Sequence, residues 1–275
     1  MTTEEKYAKL LDSIQGMGKA AVAFSGGADS SFLCKVARDV LGDGAVAVTV
    51  VSPMLPKSEL ESAKRFAAMV DIRHLLVEEK DIEECVAVNP ANRCYHCKRI
   101  EFGAVRRAAA EVGISWILDG SNRDDLADYR PGLAALTELG IVSPLRDADL
   151  TKAEIRELSR QVGLPTWNKP AAACLASRIP YGERIDAHKL ARVEEAEEFL
   201  CGLGLVQFRV RSHGDMARIE VAPDERIKLY NTAVMDRVSA RLKALGFLYV
   251  CMDLEGYATG SMNRAIKGRE GAANG

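Results

Sequence analysis

Ser25-Gly26-Gly27-Ala28-Asp29-Ser30-Ser31 is the stretch whose residue types and order best support chemistry. It follows the apolar run Ala20-Ala21-Val22-Ala23-Phe24 and leads into Phe32-Leu33-Cys34-Lys35-Val36-Ala37. The run reads as a buried strand and the continuation as a helix. A glycine pair at a strand–helix junction lets the backbone come close to a ligand. The first turn of the helix offers unpaired N–H groups and a partial positive charge, which favour phosphate or pyrophosphate. Ser, Gly and Asp also make ordinary turns and N-caps, so the strand before and the helix after carry the phosphate reading. The stretch is neither G-x-x-x-x-G-K-[ST] nor the G-x-G-x-x-G dinucleotide fingerprint.

Cysteine chemistry is the second signal. Arg93-Cys94-Tyr95-His96-Cys97-Lys98 contains C-x-x-C. A thioredoxin-like redox pair does not suit the surroundings. A zinc half-site needs further ligands, and there is no second C-x-x-C and no H-x3–5-H. The remaining reading adds Cys174, in Ala171-Ala172-Ala173-Cys174-Leu175-Ala176-Ser177-Arg178. Three thiolates can hold three irons of a 4Fe–4S cluster and leave the fourth iron open. Ordinary buried thiols are the alternative for the pair, and are the reading for Cys34, Cys85, Cys201 and Cys251 on apolar faces. Cys174 differs, because Arg178 and Arg184 flank it and nearby cations raise the thiolate fraction. A reactive Cys174 is expected.

Arg209 and Arg211 alternate in Phe208-Arg209-Val210-Arg211, so on a strand they share a face. Two guanidiniums there suit a phosphate or carboxylate, or make an exposed charged face. Asp124 and Asp125 follow a strand end and are either ligands or solvated loop charge. Glu197 and Glu220 are weaker metal or substrate candidates, and His74, His96, His188 and His213 receive no role.

These groups must be carried by regular elements. Residues 4–16 read as a helix, with Tyr7, Leu10, Leu11 and Ile14 on one face. Strands are expected at 20–24, 45–51, 74–77 and 116–119, with a short fifth candidate at 141–145. Helices are expected at 57–70, 99–112 and 151–162, the last with a capping box from Thr151 to Glu154. The alternation implies an α/β fold, a doubly wound parallel sheet with the ligand at the carboxyl ends of its strands. Both Ser25-Gly26-Gly27 and Gly120-Ser121-Asn122 fall at such ends. Gly163-Leu164-Pro165 through Pro170 reads as a boundary loop. Beyond it the order helix, strand, strand, helix, strand suggests a smaller α+β domain with an antiparallel sheet. The expected division is 1–168, 169–267 and a flexible tail at 268–275.

At 275 residues the chain has room for one large domain or two modest ones. A hydrophobic fraction of 48% with 28% charged residues is that of a soluble globular protein. Net charge −2 argues against a large nucleic-acid footprint. No apolar run approaches a membrane span, and Met1-Thr2-Thr3-Glu4-Glu5-Lys6 has no signal-peptide character. A cytoplasmic setting is expected, in which seven cysteines are thiols rather than a disulfide scaffold.

Taken together, the motifs bring a family into view. The glycine loop resembles the pyrophosphate loop, SGG-x-DS, of the N-type ATP pyrophosphatases. With Asn92 to Lys98, Asp119-Gly120-Ser121-Asn122-Arg123-Asp124-Asp125, Asp128-Tyr129-Arg130-Pro131-Gly132, Cys174-Leu175-Ala176-Ser177-Arg178 and Gly260-Ser261-Met262-Asn263, the chain resembles the LarE family from about residue 5 to about residue 265. These are ATP-dependent sulfur transferases of nickel-pincer nucleotide synthesis. The resemblance implies that ATP adenylates a carboxylate of pyridinium-3,5-biscarboxylic acid mononucleotide and that a sulfur nucleophile displaces AMP. It implies ATP phosphates at Ser25, Gly26, Gly27, Asp29 and Ser30, with Ser52 and Gly120 also at the nucleotide. Asp29 is expected to help place Mg²⁺. Lys98, Ser177, Arg178, Arg209 and Arg211 are expected to meet the substrate, with Lys98 and Arg178 able to neutralise developing negative charge. Sacrificial members give up the sulfur of the cysteine matching Cys174. Others carry a 4Fe–4S cluster on three cysteines, and the presence of Cys94, Cys97 and Cys174 favours that version. A homo-oligomer is implied as well. The alternatives are a tRNA-thiolating relative, which the net charge disfavours, and a non-enzymatic metal carrier that would release no pyrophosphate.

Overall fold

The computed structural model describes residues 1–127, 131–170 and 173–258. Asp128-Tyr129-Arg130, Ala171-Ala172, Gly260-Ser261-Met262-Asn263 and the tail lie outside the described residues. In chain order the helices are α1 (Thr3–Gln15), α2 (Ala28–Leu41), α3 (Lys57–Met69), α4 (Glu84–Ala87), α5 (Arg93–Glu111), α6 (Gly132–Glu138), α7 (Pro144–Asp147), α8 (Lys152–Gln161), α9 (Ala187–Gly202) and α10 (Thr232–Ala244). The strands are β1 (Ala20–Ala23), β2 (Ala45–Val51), β3 (Arg73–Glu78), β4 (Trp116–Leu118), β5 (Phe208–His213), β6 (Met216–Val221) and β7 (Tyr249–Met252). Two compact units form, one from 1–81 with 92–172 and one from 82–91 with 173–275.

The first unit is the α/β half. Its sheet has the order β3-β2-β1-β4 and is parallel throughout. Side chains alternate across a strand, so β1 feeds two cores. Ala20 and Val22 join Leu10, Phe32, Leu33, Phe66 and Leu158 on one face. Ala21 joins Val46, Val48, Phe102, Val105 and Ile117 on the other. Thr49 is buried between strands, its hydroxyl donating to Phe24 O at 2.6 Å and lying 2.8 Å from His74 Nε2. The chain leaves β1 toward β2 on one side, and β4 lies on its other side. That reversal opens a crevice at the carboxyl ends of β1 and β4. The capping box at α8 is present, with Thr151 Oγ1 accepting from Glu154 N–H and Glu154 accepting from Thr151 N–H.

Four expectations are corrected, the last of them in the second sheet. Residues 141–145 form no strand: Val142 makes an isolated parallel bridge to Leu118, and Pro144 then starts α7, because proline cannot donate to a ladder. The helix expected at 99–112 starts at Arg93, so the C-x-x-C lies in its first turns. Of the four cysteines read as buried, only Cys34 is; Cys85, Cys201 and Cys251 are exposed.

The second unit carries the sheet β5-β6-β7. β5 and β6 are an antiparallel hairpin. The expected antiparallel sheet is in fact mixed, since β7 pairs parallel to β6; α10 returns the chain to the starting end of β6, as a crossover helix does. Phe208, Val210, Ile219, Val221, Leu200, Leu242 and Phe247 form its core. The segment 82–91 is held here by Gly182 N–H to Asn89 O (2.9 Å), Ile185 N–H to Ala87 O (2.8 Å) and Asn89 Nδ2 to Pro180 O (2.7 Å).

Candidate functional sites in the two units

Gly26 adopts φ +75°, a conformation that L side chains resist. This bend turns the chain from β1 into α2. Gly27 caps α2 with no side-chain hydrogen bond to the first turn, so those N–H groups meet no capping side chain. Ser25 Oγ and Ser30 Oγ lie 3.1 Å apart, and Ser30 Oγ donates to Gly27 O at 3.3 Å. Gly120 passes so close that a Cβ there would lie 3.0 Å from Ser30 N and 3.2 Å from its Cα. Both are backbone atoms, so only glycine lets the end of β4 press on the start of α2. Ser52 follows β2 at the same end of the sheet, and its carbonyl accepts from Leu55 N–H.

Asp29 Oδ2 accepts from Asn122 Nδ2 at 3.2 Å and stands 4.0 Å from Lys152 Nζ. Its Oδ1 is buried and has no hydrogen-bond partner. Burial, and secondarily the charge of Asp125, push the Asp29 carboxyl pKa up. An orphaned buried carboxylate oxygen costs free energy, and a hard cation shared with phosphate would relieve it. The site therefore fits Mg²⁺. Asp124 and Asp125 are loop-shaping groups here: Asp125 Oδ2 accepts from Asn122 N–H and Asp124 Oδ2 from Lys152 N–H.

Sequence reading missed Lys169. Its ammonium donates to Gly26 O (3.0 Å), Glu59 Oε2 (2.7 Å) and Ser62 Oγ (3.1 Å). Its Asn-Lys-Pro setting reads as loop, and nothing local in a sequence connects positions 143 residues apart. Asn122 was noticed only as part of a motif; its role as the clasp on Asp29 needed coordinates.

Cys94 and Cys97 sit one helical turn apart on α5, where residues i and i+3 are neighbours. Cys94 is exposed and Cys97 partly so; Cys97 Sγ donates to Glu101 Oε1 at 3.5 Å. Lys98 donates to Glu101 Oε2 at 3.1 Å and stands 5.1 Å from the centre of the Phe102 ring. The charge of Glu101 pushes the Lys98 pKa up, with Cys97 and Asp119 adding to it. A Cβ on Gly132 would come 3.1 Å from the Lys98 side chain and 3.5 Å from Cys94 O. That glycine lets α6 close onto α5 beside the thiols.

In the second unit Cys174 is exposed at the start of a tight turn, Leu175–Arg178. Arg178 is 3% exposed and reaches inward. It donates to Glu197 through Nε (3.0 Å) and Nη2 (2.8 Å), and through Nη1 to Ala173 O, Cys174 O and Ser177 Oγ at 2.7, 3.0 and 3.0 Å. Its charge is matched by Glu197, and Arg184 is matched by Glu84 at 2.7 Å. Both cations expected beside Cys174 are thus ion-paired, and Arg178 also shapes the turn.

β5 and β6 place Arg209 opposite Glu220 and Arg211 opposite Arg218, all on the face away from the apolar core. Arg211 donates to Ser177 O and Glu220 Oε2, both at 2.8 Å. Glu220, 1% exposed, also accepts from Arg218 at 2.9 Å. Arg209 stacks 5.1 Å over the Tyr257 ring. Burial, and then the like charges of Arg178 and Arg211, push the Arg209 pKa down. Glu197 acts in the opposite sense, holding the pKa up.

Each unit by itself carries soft thiol donors of the kind that iron takes: Cys94 and Cys97 on one face of α5 in the first, and Cys174 exposed in a turn of the second. Among the described residues, no group of three or more His, Cys, Asp or Glu side chains is already gathered to hold a metal ion.

The chain is 36% identical over 268 residues to pyridinium-3,5-bisthiocarboxylic acid mononucleotide synthase of Lactiplantibacillus plantarum, covering 96% of each. The chain belongs to the LarE family. An uncharacterised protein of a Synechocystis strain is 43% identical over 264 residues, 96% of this chain and 98% of that one. One of the subunits of the glutamine-hydrolysing GMP synthase of Thermoplasma volcanium is 28% identical over 188 residues, 62% of this chain and 60% of that one. No protein-family model matches the chain. LarE membership, the nucleotide-binding loop and the parallel sheet together make this an ATP-dependent enzyme of the pyrophosphate-loop kind. No helix among the described residues is long and apolar enough to cross a membrane.

Proposed function

We propose that the chain converts pyridinium-3,5-biscarboxylic acid mononucleotide into its thiocarboxylate for nickel-pincer nucleotide synthesis. What supports this is the match to the synthase over 96% of both lengths, together with the left-handed Gly26 before α2 and the buried Asp29 oxygen without a partner. A substrate carboxylate oxygen attacks the α-phosphorus of ATP and pyrophosphate leaves. Ser25, Gly26, Gly27 and Ser30 hold the phosphates with backbone N–H and hydroxyl groups, near Ser52 and Gly120. Asp29 would hold Mg²⁺, which would supply positive charge to the phosphates, and the start of α2 stabilises the charge that builds on the departing pyrophosphate. A sulfur nucleophile then attacks the acyl carbon and AMP leaves.

Cys94, Cys97 and Cys174 are the proposed sulfur-handling residues and would hold a 4Fe–4S cluster. When bound, that cluster would supply a transferable sulfide from its open iron. Lys98 offers a permanently charged ammonium to the carboxylate. Arg209 and Arg211, with Ser177, take the mononucleotide phosphate, which paired guanidiniums on one strand face suit. Arg178 acts through the turn it shapes. The setting is proposed to be cytoplasmic and the enzyme a homo-oligomer.

ATP–pyrophosphate exchange tests the reading. Exchange is expected with the pyridinium substrate and not with bulk tRNA; the reverse dependence would move the chain to the tRNA-thiolating relatives. Cys174→Ser is expected to keep exchange and lose thiocarboxylate. Anaerobic iron and sulfide reconstitution is expected to load about four irons per chain, lost on replacing any of the three cysteines. No cluster would return Cys174 to a sacrificial donor.

A further inference from the structure

Lys169 saturates its three ammonium protons on three acceptors, and its own carbonyl accepts from Arg156 Nη2 at 2.9 Å. The ion pair with Glu59 is largely out of solvent, the side chains being 18% and 17% exposed. Lys169 is thus fixed at both its backbone and its tip, and what it fixes in turn is the carbonyl of Gly26. A trans peptide points its C=O and the next N–H in opposite directions. Holding Gly26 O against Lys169 therefore turns Gly27 N–H the other way, toward Ser25 Oγ, at 3.5 Å. That contact is at the long limit for a hydrogen bond, so the N–H is available to a stronger acceptor. Both residues flanking this peptide are glycines, which have the least conformational preference. A flip of the peptide would replace an N–H facing the cradle with a carbonyl oxygen that repels phosphate.

We infer that Lys169 is a positioning residue of the phosphate-binding loop, which sets the direction of the Gly26–Gly27 peptide and so presents Gly27 N–H to the ATP phosphates. This rests on the assignment of the loop to ATP. Lys169 touches no phosphate itself; it acts through the carbonyl it grips.

The test is binding of Mg²⁺-ATP and of adenosine to the full chain by calorimetry. Lys169→Met is expected to weaken ATP about tenfold or more, the scale of a hydrogen bond to a charged group. Adenosine, which has no phosphate, is expected to stay within about twofold. Lys169→Arg and Lys169→Gln keep a donor for Gly26 O and are expected to lose less than Lys169→Met. Gly27→Pro suits φ −75° at that residue and deletes the N–H. It should weaken ATP similarly, and adding Lys169→Met to it should cost little more. Parallel loss of ATP and adenosine would overturn the inference, as would additive losses in the double variant. Should Lys169→Met not fold, donor-retaining variants with unchanged ATP:adenosine selectivity beside a weakened Gly27→Pro would support it, and equal losses in all three would overturn it. A wild-type chain that binds no ATP would refute the ATP assignment, and the inference with it, separately from these outcomes.

Discussion

Glu197→Gln probes the buried polar cluster around Arg178 in the second unit. Glu197 Oε1 accepts from Arg178 Nε at 3.0 Å and Val210 N–H at 2.9 Å, and Oε2 from Arg178 Nη2 at 2.8 Å. Arg178, 3% exposed, would keep its charge with no carboxylate to match it. Breaking a buried pair on one side costs about 3–5 kcal/mol. Glutamine retains one oxygen for Val210 N–H and Arg178 Nε, which places the loss at about 2–3 kcal/mol. The new amide N–H₂ would face Arg178 Nη2, donor against donor. Both tryptophans, Trp116 and Trp167, lie in the first unit, so their fluorescence does not report this site. Amide hydrogen exchange read on peptides covering 173–180 and 208–213 does. Protection is expected to fall roughly 30- to 140-fold, at one decade per 1.4 kcal/mol. Replacing both partners, Arg178→Met with Glu197→Leu, removes the stranded charge and is expected to recover much of the protection. Sulfur transfer should stay lost in that double variant, since the turn carbonyls of Ala173 and Cys174 no longer have their donor. Exchange within about twofold of wild type in Glu197→Gln would refute the reasoning that this pair holds the Cys174 turn.

Three further outcomes follow from the first unit. Gly26→Ala forces a Cβ onto φ +75°, 3.4 Å from Ala63 Cβ and Glu59 O; a strain of about 1–2 kcal/mol should raise the ATP KM in pyrophosphate exchange roughly tenfold. Asp29→Asn removes the negative charge that fits Mg²⁺ and should abolish the Mg²⁺ dependence of ATP binding, read by calorimetry with and without the metal. Glu154 is opposed by burial, but Thr151 and then Lys6 outweigh it and hold its pKa at about 2, below the ordinary 4.5. A depressed carboxylate pKa stabilises the fold fully above the unfolded value, and the gain is lost as pH falls from about 4.5 through about 2. Acid titration of stability should show this loss, about 2 kcal/mol after solvent screening, and Lys6→Met should shrink it.

Much of the first unit was legible because its signals are local. Ala45 to Val51 is apolar but for Thr49, as a central parallel strand is expected to be. Thr151 with Glu154 announces the start of α8 within four residues. The glycine loop is recognised from its own seven residues and their flanks. The boundaries failed where local preference was weak or overridden. Arg93 to Lys98 shows no apolar period, yet it is helical because Phe102 and Val105 commit α5 to the sheet. Ile141 to Leu145 has strand composition, but Pro144 ends it after one bridge.

By itself the sequence determined the chemistry available: a glycine loop suited to phosphate, a C-x-x-C with a further cysteine at 174, and alternating arginines. It also determined the α/β order, since hydrophobic period is a property of neighbours in the chain. Only tertiary structure decided how charge is distributed. Arg178 and Arg184 read from the sequence as bare cations beside Cys174, and the fold pairs them with Glu197 and Glu84. Lys169 looks like loop decoration until it is found on the Gly26 carbonyl. Coulomb and hydrogen-bond energies depend on distances of a few ångströms between residues remote in sequence, and folding alone sets those distances.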